Sequence, residues 1–332
     1  LGFAKATAYA LLPGQDNDTA HLFGTSAADN YTGTTTWGAL YNADYNLTAS
    51  GYENIIVEGN GGADKARING FSNAVDTLVA KPDDTALSGG GKLHQVLHFA
   101  EVTAVAPGSG DIATLYDTTA ADEFRAAREP DRYAQLKRLS GGYTVRGDAF
   151  ETVACVSSPG AADNAVLYGG TSATPDVFWT DMNLATFSGL GYAIDLTGFT
   201  YITATAVRSG GTDTARDQAA FHYAAAADTL TAGPGSTSLK NGVRTYTTKA
   251  FDDAVVYGVA GPGDDFATLN DSAGDDQLIA HGNQLDLTWA DATTIRLLDI
   301  ARTRVNRTTG NDTKHVDAYD FALENADGWL DA

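Results

Sequence analysis

The chain has 332 residues and carries 42 acidic against 21 basic side chains, a formal charge of −21 with a pI near 4.4. Such a charge disfavours nucleic acid and anionic lipid as partners and favours cations, while 43% apolar content excludes a disordered acidic tail. The acids are 35 Asp and only 7 Glu, and because Asp suits turns and caps where Glu suits helix interiors, an all-helical fold is excluded as well.

In chain order the sequence opens on an aromatic followed by alternating small residues, FAKATAYA from Phe3, and then enters a repeated unit of four elements. The first begins with Asp: NDTAHLF (Asp18), ADKARIN (Asp64), GDIATLYD (Asp111), ADNAVLYG (Asp163), TDTARDQ (Asp213), DDFATLND (Asp265) and NDTKHVDAYD (Asp312). The intervals are 46, 47, 52, 50, 52 and 47 residues, a mean of 49. The second also begins with Asp, at Asp29, Asp76, Asp122, Asp176, Asp228 and Asp276. The third is rich in Gly and aromatics, clearest in LSGGYTV from Leu139 and FSGLGYAI from Phe187. The fourth repeats the opening pattern at Tyr52, Phe99, Phe150, Phe199 and Phe251, with Leu298 heading a degenerate last copy.

Each element is a run of five to eight residues with period-two alternation, bounded by Gly, Asp, Asn or Ser, which is the signature of a short strand. Four strands per unit predict an all-β repeat protein. The small inward alternation in ATAYA, VTAVA and VACVS favours a right-handed parallel β-helix or solenoid, with 49 residues making two rungs of about 24. A six- or seven-bladed β-propeller, one blade per unit, is the alternative. Residues 1–310 read as a single array of about six copies, and 311–332 as a terminal half-repeat with an acidic tail. No run approaches 18 apolar residues, so membrane insertion through a helix is not expected. Leu1 follows no basic or apolar leader, so a secretion signal is expected to have been removed or to lie outside the sequence. The single thiol, Cys155, between Val153 and Val156, reads as a small core residue.

At GDDFATLNDSAGDDQLIA, Gly263 to Ala280, the sequence resembles the Asp-rich repeats of very large secreted bacterial surface proteins, whose units have the form GGTDxAxLYDSxGxDTF with Gly/aromatic and GFDxVxA segments between. The likeness runs from Phe3 to Asp320, and the closing VDAYDFALENADGWLDA is similar to the acidic, Trp-containing tails of such chains. The resemblance implies part of an exported, cell-surface protein. GPGDDFATL and SAGDDQLIA are also similar to calcium-binding β-roll repeats, although the tandem Gly-Gly-x-Gly-x-Asp nonapeptide is missing.

Stacked copies of an Asp-headed turn bring carboxylates within about 4.8 Å of one another, where they repel unless cations or backbone amides compensate. Calcium, which takes six to eight oxygens, is therefore a candidate cofactor, and the densest cluster is Asp264, Asp265, Asp271, Asp275 and Asp276. The competing expectation is that each Asp caps its own turn through an amide two residues on. Arg125, Arg128, Arg132 and Arg138, with Lys137 and Arg146, form the one basic concentration, and Trp37, Trp179 and Trp289 fall near corresponding positions. Together they are candidates for holding an acidic glycan, against a plainer role as surface ion pairs and core aromatics. Six Asn-x-Ser/Thr triplets occur, as chance allows in a chain of this composition. No nucleophile elbow, phosphate loop, dinucleotide fingerprint or histidine ligand spacing is present, so no organic cofactor is expected.

The function expected is a non-catalytic structural or adhesive module of an extracellular protein, calcium-stiffened and able to stack end to end on copies of itself into a filament. The alternative is a polysaccharide-binding or lyase-like β-helix acting on an acidic surface glycan.

Overall fold

The computed structural model describes residues 5–10, 17–128, 132–170, 174–206, 215–223, 227–258 and 265–331. They are built of strands, with a single 3-10 turn at Ala326–Gly328 and no α-helix among the described residues. The chain divides into two compact units, residues 1–163 with 191–194, and residues 164–190 with 195–332. Both are β-solenoids in which the chain passes between two facing sheets.

The reason for two sheets is visible in the alternation. In the first unit, Ile112–Tyr116 buries Ala113 and Leu115, and Thr152–Val156 buries Val153 and Cys155 beside them in parallel register. Outward positions between them stay partly or wholly exposed. Period-two burial leaves each strand one apolar face, and two such sheets close over each other. Cys155 is a fully buried core residue, as read from its neighbours.

Each repeat contains five strands, not four. The Gly-rich third element is a hairpin turn: Gly141 and Gly142 adopt positive φ between Tyr133–Arg138 and Thr144–Asp148. With Asp122–Ala127 these make a three-stranded antiparallel meander. In the first unit, meanders occupy 30–50, 77–97 and 122–148, on one sheet, the other, and the first again. A repeat crosses between sheets three times, as single strand, meander and single strand, and an odd number of crossings puts successive copies on opposite sheets.

The register corrects the expected rung. Lys65 lies beside Glu101 and Thr77 beside Ile112, which are 36 and 35 residues on, not 24. Only where no meander intervenes does the step shorten, as in the second unit, where Arg302 lies beside Ala322, 20 residues on. The meander also runs backwards: Asp122–Ala127 enters first, yet it is the last strand, Thr144–Asp148, that pairs with the preceding Glu101–Val105. Parallel pairing between copies replaces the antiparallel blade of a propeller and removes that alternative.

One cross-strand pair staples every meander. Tyr31 faces Leu40, Leu78 faces Leu87 and Phe124 faces Leu136 in the first unit. Phe178 faces Phe187, Leu230 faces Leu239 and Leu278 faces Leu287 in the second. All are buried, so the core is not lined by small aliphatics alone. The meander then closes on a left-handed residue, His98, Ala149, Gly198, Ala250 or Asp299 in successive copies. Its amide donates to the carbonyl of the first hairpin turn, as from Ala149 to Arg132 at 2.8 Å and from His98 to Asp83 at 2.9 Å. The next residue, Phe99, Phe150, Phe199, Phe251 or Ile300, plugs the core. Ile300, rather than Leu298, therefore heads the last copy.

Residues 313–331 continue both sheets of the second unit. Thr313–Tyr319 adds beside Gln277–Gly282, and Leu330–Asp331 adds beside Thr313 and Lys314.

Candidate metal centres

Parallel register delivers the first- and second-element Asp residues to the same edge of a sheet. There they make one bond six times over. The amide of Asp29 donates to Oδ1 of Asp64 at 2.8 Å, that of Asp76 to Asp111 at 2.7 Å, and that of Asp122 to Asp163 at 2.8 Å. In the second unit Asp176 donates to Asp217 at 2.8 Å, Asp228 to Asp265 at 3.1 Å and Asp276 to Asp312 at 3.2 Å. Asp217 thus holds the place read for Asp213, which lies outside the described residues.

The second-element carboxylate turns back onto the loop before it. Asp29 accepts from the Thr25 amide, Asp76 from Phe71, Asp122 from Thr118, Asp176 from Gly170 and Asp276 from Ser272. These are four to six residues upstream, so the expected Asx turn onto an amide two residues on is replaced by a cap on the preceding loop. The cap needs room. A Cβ at Gly24, Gly70 or Gly169 would stand 2.7, 2.0 or 1.9 Å from the carboxylate of Asp29, Asp76 or Asp176.

Three copies depart from Gly at this position. One has Tyr223, ahead of Asp228, and the other two carry Asp117 and Asp271, in LYDTTAAD and LNDSAGDD. In the first unit Asp117, Asp122 and Asp163 converge, and in the second Asp271, Asp276 and Asp312 do. Each triad is buried, and each offers three carboxylate oxygens within 4.8 Å of one another.

In the first triad, Asp117 Oδ1 accepts the Ser158 amide at 2.5 Å, and Asp163 Oδ2 accepts the Ser157 hydroxyl at 2.7 Å. Asp117 Oδ2 and Asp122 Oδ1 have no partner. Burial, with Asp163 beside it, pushes the Asp117 carboxyl up to about 7 against the lowering pull of the Ser158 amide. One guanidinium stands a step removed: Arg138 Nε approaches the Thr118 hydroxyl at 3.4 Å, and that hydroxyl binds Asp122.

In the second triad Arg307 Nε pairs directly with Asp312 Oδ2 at 3.0 Å, where the first triad has Ser157. Asp276 accepts from the Ser272 amide and hydroxyl and from the Ala290 amide, which leaves one acceptor site on Oδ2. Neither oxygen of Asp271 has a hydrogen-bond partner. The Thr308 amide and hydroxyl both lie near enough to pull its pKa down, the hydroxyl also reaching the Ser272 carbonyl. Burial, followed by Asp312 and Asp276, leaves the Asp271 carboxyl raised.

Of the five Asp residues first grouped as a calcium cluster, Asp264 lies outside the described residues. Asp271 and Asp276 do meet. Asp265 is separated from Asp271 by the whole strand Phe266–Asn270, roughly 17 Å of extended chain, and serves the Asp228 amide instead. Asp275 is spent on the Asn311 amide at 2.9 Å, on the surface. Asp117, Asp122, Asp163 and Asp312 complete the triads. The sequence carried a signal for them, the replacement of Gly by Asp at one position of the unit.

The basic set does not converge on a free anion site. Arg125 is paired with Glu123 at 2.7 Å and Arg132 with Glu151 at 3.3 Å. Arg128 lies 5.7 Å from the Tyr192 ring centre, and Arg138 approaches Thr118. Trp37 is partly exposed in the first unit. In the second, Trp289 is buried and donates its indole N–H to the Asn270 carbonyl at 2.9 Å, whereas Trp179 lies on the outer face of a sheet against His222, which stacks on Tyr257 at 4.6 Å.

No protein-family model, curated protein or solved structure matches the chain.

Proposed function

We propose that the chain is a non-catalytic structural module of an exported, cell-surface protein, a spacer or adhesive element built by stacking one unit. The observation that carries this reading is the sixfold Asp amide to Asp carboxylate bond, which ties each copy to the next. A protein whose copies are held by one recurring neighbour contact is lengthened by adding copies, with no change to the contact itself. The resemblance to secreted bacterial surface repeats supports the location. The strand Lys5–Tyr9, exposed throughout and paired with Asn46–Ser50, has no partner on its other edge among the described residues and offers it for further stacking. Another copy of the chain is the partner this suits.

Mechanical pulling from the two ends tests the role. Unfolding is expected in discrete steps at multiples of one 49-residue repeat, each releasing about 17 nm of chain. A smooth extension without force peaks would remove the load-bearing reading. Sedimentation velocity across a hundredfold concentration range tests end-to-end association, which a concentration-independent monomer would exclude.

A second reading, glycan binding, is favoured by one feature of the second unit. A groove of about 450 Å³ is floored by Ala220 and Val255 and flanked by Tyr257, Asp253 and the Arg296–Asp286 pair. An apolar floor, an aromatic edge and polar walls suit a sugar chain. Retention on acidic polysaccharide that is lost in Arg296→Ala would support it, and equal retention of the variant would not.

A further inference from the structure

We propose that the triads Asp117/Asp122/Asp163 and Asp271/Asp276/Asp312 are two binding sites for a hard divalent cation of the calcium type, each cross-linking one repeat to the next. The proposal stands apart from the spacer role, since a solenoid of any function can carry such sites.

Acidic clusters are common without metal, and single stranded oxygens also occur in the ladder at Asp64, Asp76 and Asp111; what sets these two clusters apart is a third buried carboxylate that carries stranded oxygens of its own. In the second triad Asp271 is 4% exposed and neither of its carboxylate oxygens meets a donor at hydrogen-bond geometry, with Thr308 only near enough to lower its pKa, yet it is aimed at Asp276 and Asp312. In the first, Asp117 Oδ2 and Asp122 Oδ1 are similarly stranded in residues 4% and 0% exposed. A buried carboxylate oxygen with no donor is costly, and a like charge beside it makes it more so. Three other copies place Gly at this position, Gly24, Gly70 and Gly169, and one places Tyr223, so they add no third carboxylate. Introducing Asp there twice adds a third buried carboxylate, which at Asp117 gains the Ser158 amide for one oxygen and leaves the other stranded.

The donor set fits the cation. Three carboxylates within 4.8 Å can be bridged by one ion at the 2.3–2.6 Å oxygen distances that calcium prefers. The Thr118 hydroxyl in the first triad and the Ser272 hydroxyl in the second already contact the central carboxylate at 2.6 Å, so each loop holds a further oxygen close by. Asp163 and Asp312 belong to the copy after the one that supplies the other two ligands, so a bound ion ties the same two copies that the Asp amide bond ties. Arg307 already neutralises one charge of the second triad, whereas Ser157 brings none to the first. The first site is therefore the tighter.

The whole chain, stripped with EDTA, is titrated with CaCl₂ by calorimetry and followed by thermal melting. Two ions per chain are expected, with Tm raised at millimolar calcium. Asp117→Gly and Asp271→Gly install the residue that other copies carry and so keep the fold, as circular dichroism would verify. Each is expected to remove one ion, and Asp117→Gly to remove the tighter one. The double variant is expected to weaken apparent affinity at least tenfold and to lose the Tm response. Absence of binding and of any Tm change in the wild-type chain would overturn the proposal. So would a double variant that binds two ions unchanged, since calcium would then be held by the surface Asp residues. One ion only, lost with Asp117→Gly, would keep the first site and overturn the second.

Discussion

The backbone amide of Asp76 donates to Oδ1 of Asp111 at 2.7 Å, across 35 residues of chain, with both residues fully buried. The same bond in five other copies makes it the fastening of the array. It also shows why an acid stands there: its carboxylate reaches the amide of the neighbouring strand at the strand entrance.

Removing the acceptor strands that amide. Asp111→Ala is expected to lower unfolding stability by about 1–3 kcal/mol, the cost of a buried unsatisfied donor. Asp111→Asn, which keeps an oxygen at the position, should lose less than half as much. Urea denaturation of both variants measures the difference, and equal losses would show that charge rather than the hydrogen bond matters.

The paired core residues of the meander carry the packing. Leu136, 0% exposed against Phe124, leaves a cavity when cut to Ala, and a cost of about 2–5 kcal/mol is expected. The outward Gln135 on the same strand is the control: its replacement by Ala should stay within about 0.5 kcal/mol. The same denaturation experiment reads both.

Ala149 has φ +70° and Ala250 φ +60°, at the position where Gly198 and Gly51 have φ +85°. L-residues are disfavoured in this region, and Gly is not. Ala149→Gly is accordingly expected to raise stability, by about 0.5–1 kcal/mol after the entropy cost of Gly is subtracted. A loss of stability would mean that the methyl group packs usefully.

Burial pushes the Asp76 carboxyl up to about 6, opposed by the Phe71 amide and reinforced by Asp111. Because this folded-state value lies above that of an unfolded Asp, the native state holds its proton longer, and stability contributed by the group falls as pH rises from about 4 to 6. Asp76→Asn abolishes this slope. Relative to wild type, the variant should gain on the order of 2–3 kcal/mol between pH 4 and pH 7. A difference that does not change with pH would contradict the assignment.

Much of this was legible in the amino-acid order. The strand positions followed from Val153 and Cys155 facing one way and Ala154 the other, and the copies followed from the two Asp series. Less legible was the hairpin in LSGGYTV, where Gly141 and Gly142 interrupt what reads as one alternating run. The alternation of copies had left a trace as well. The residue after the core aromatic is Glu53, Ala100, Glu151, Thr200 and Asp252 in turn. The acid of every second copy accepts the first-element amide, as Glu53 does from Asp18 at 3.2 Å, Glu151 from Asp111 at 2.9 Å and Asp252 from Asp217 at 3.0 Å.

By itself the sequence determined that the protein is a stack of β units with Asp at each strand entrance, because periodicity two and a fixed 49-residue recurrence are local properties of the chain. Which strand lies beside which was a tertiary decision. An alternating pattern names the inward side chains but leaves the neighbour open, so the backward meander, the 35-residue register and the switching of sheets depended on closing two apolar faces over one core. The same closure decided the chemistry of the acids. It spread Asp265 and Asp275 away from Asp271, and it brought Asp163 to Asp117 and Asp312 to Asp271, each from the following repeat.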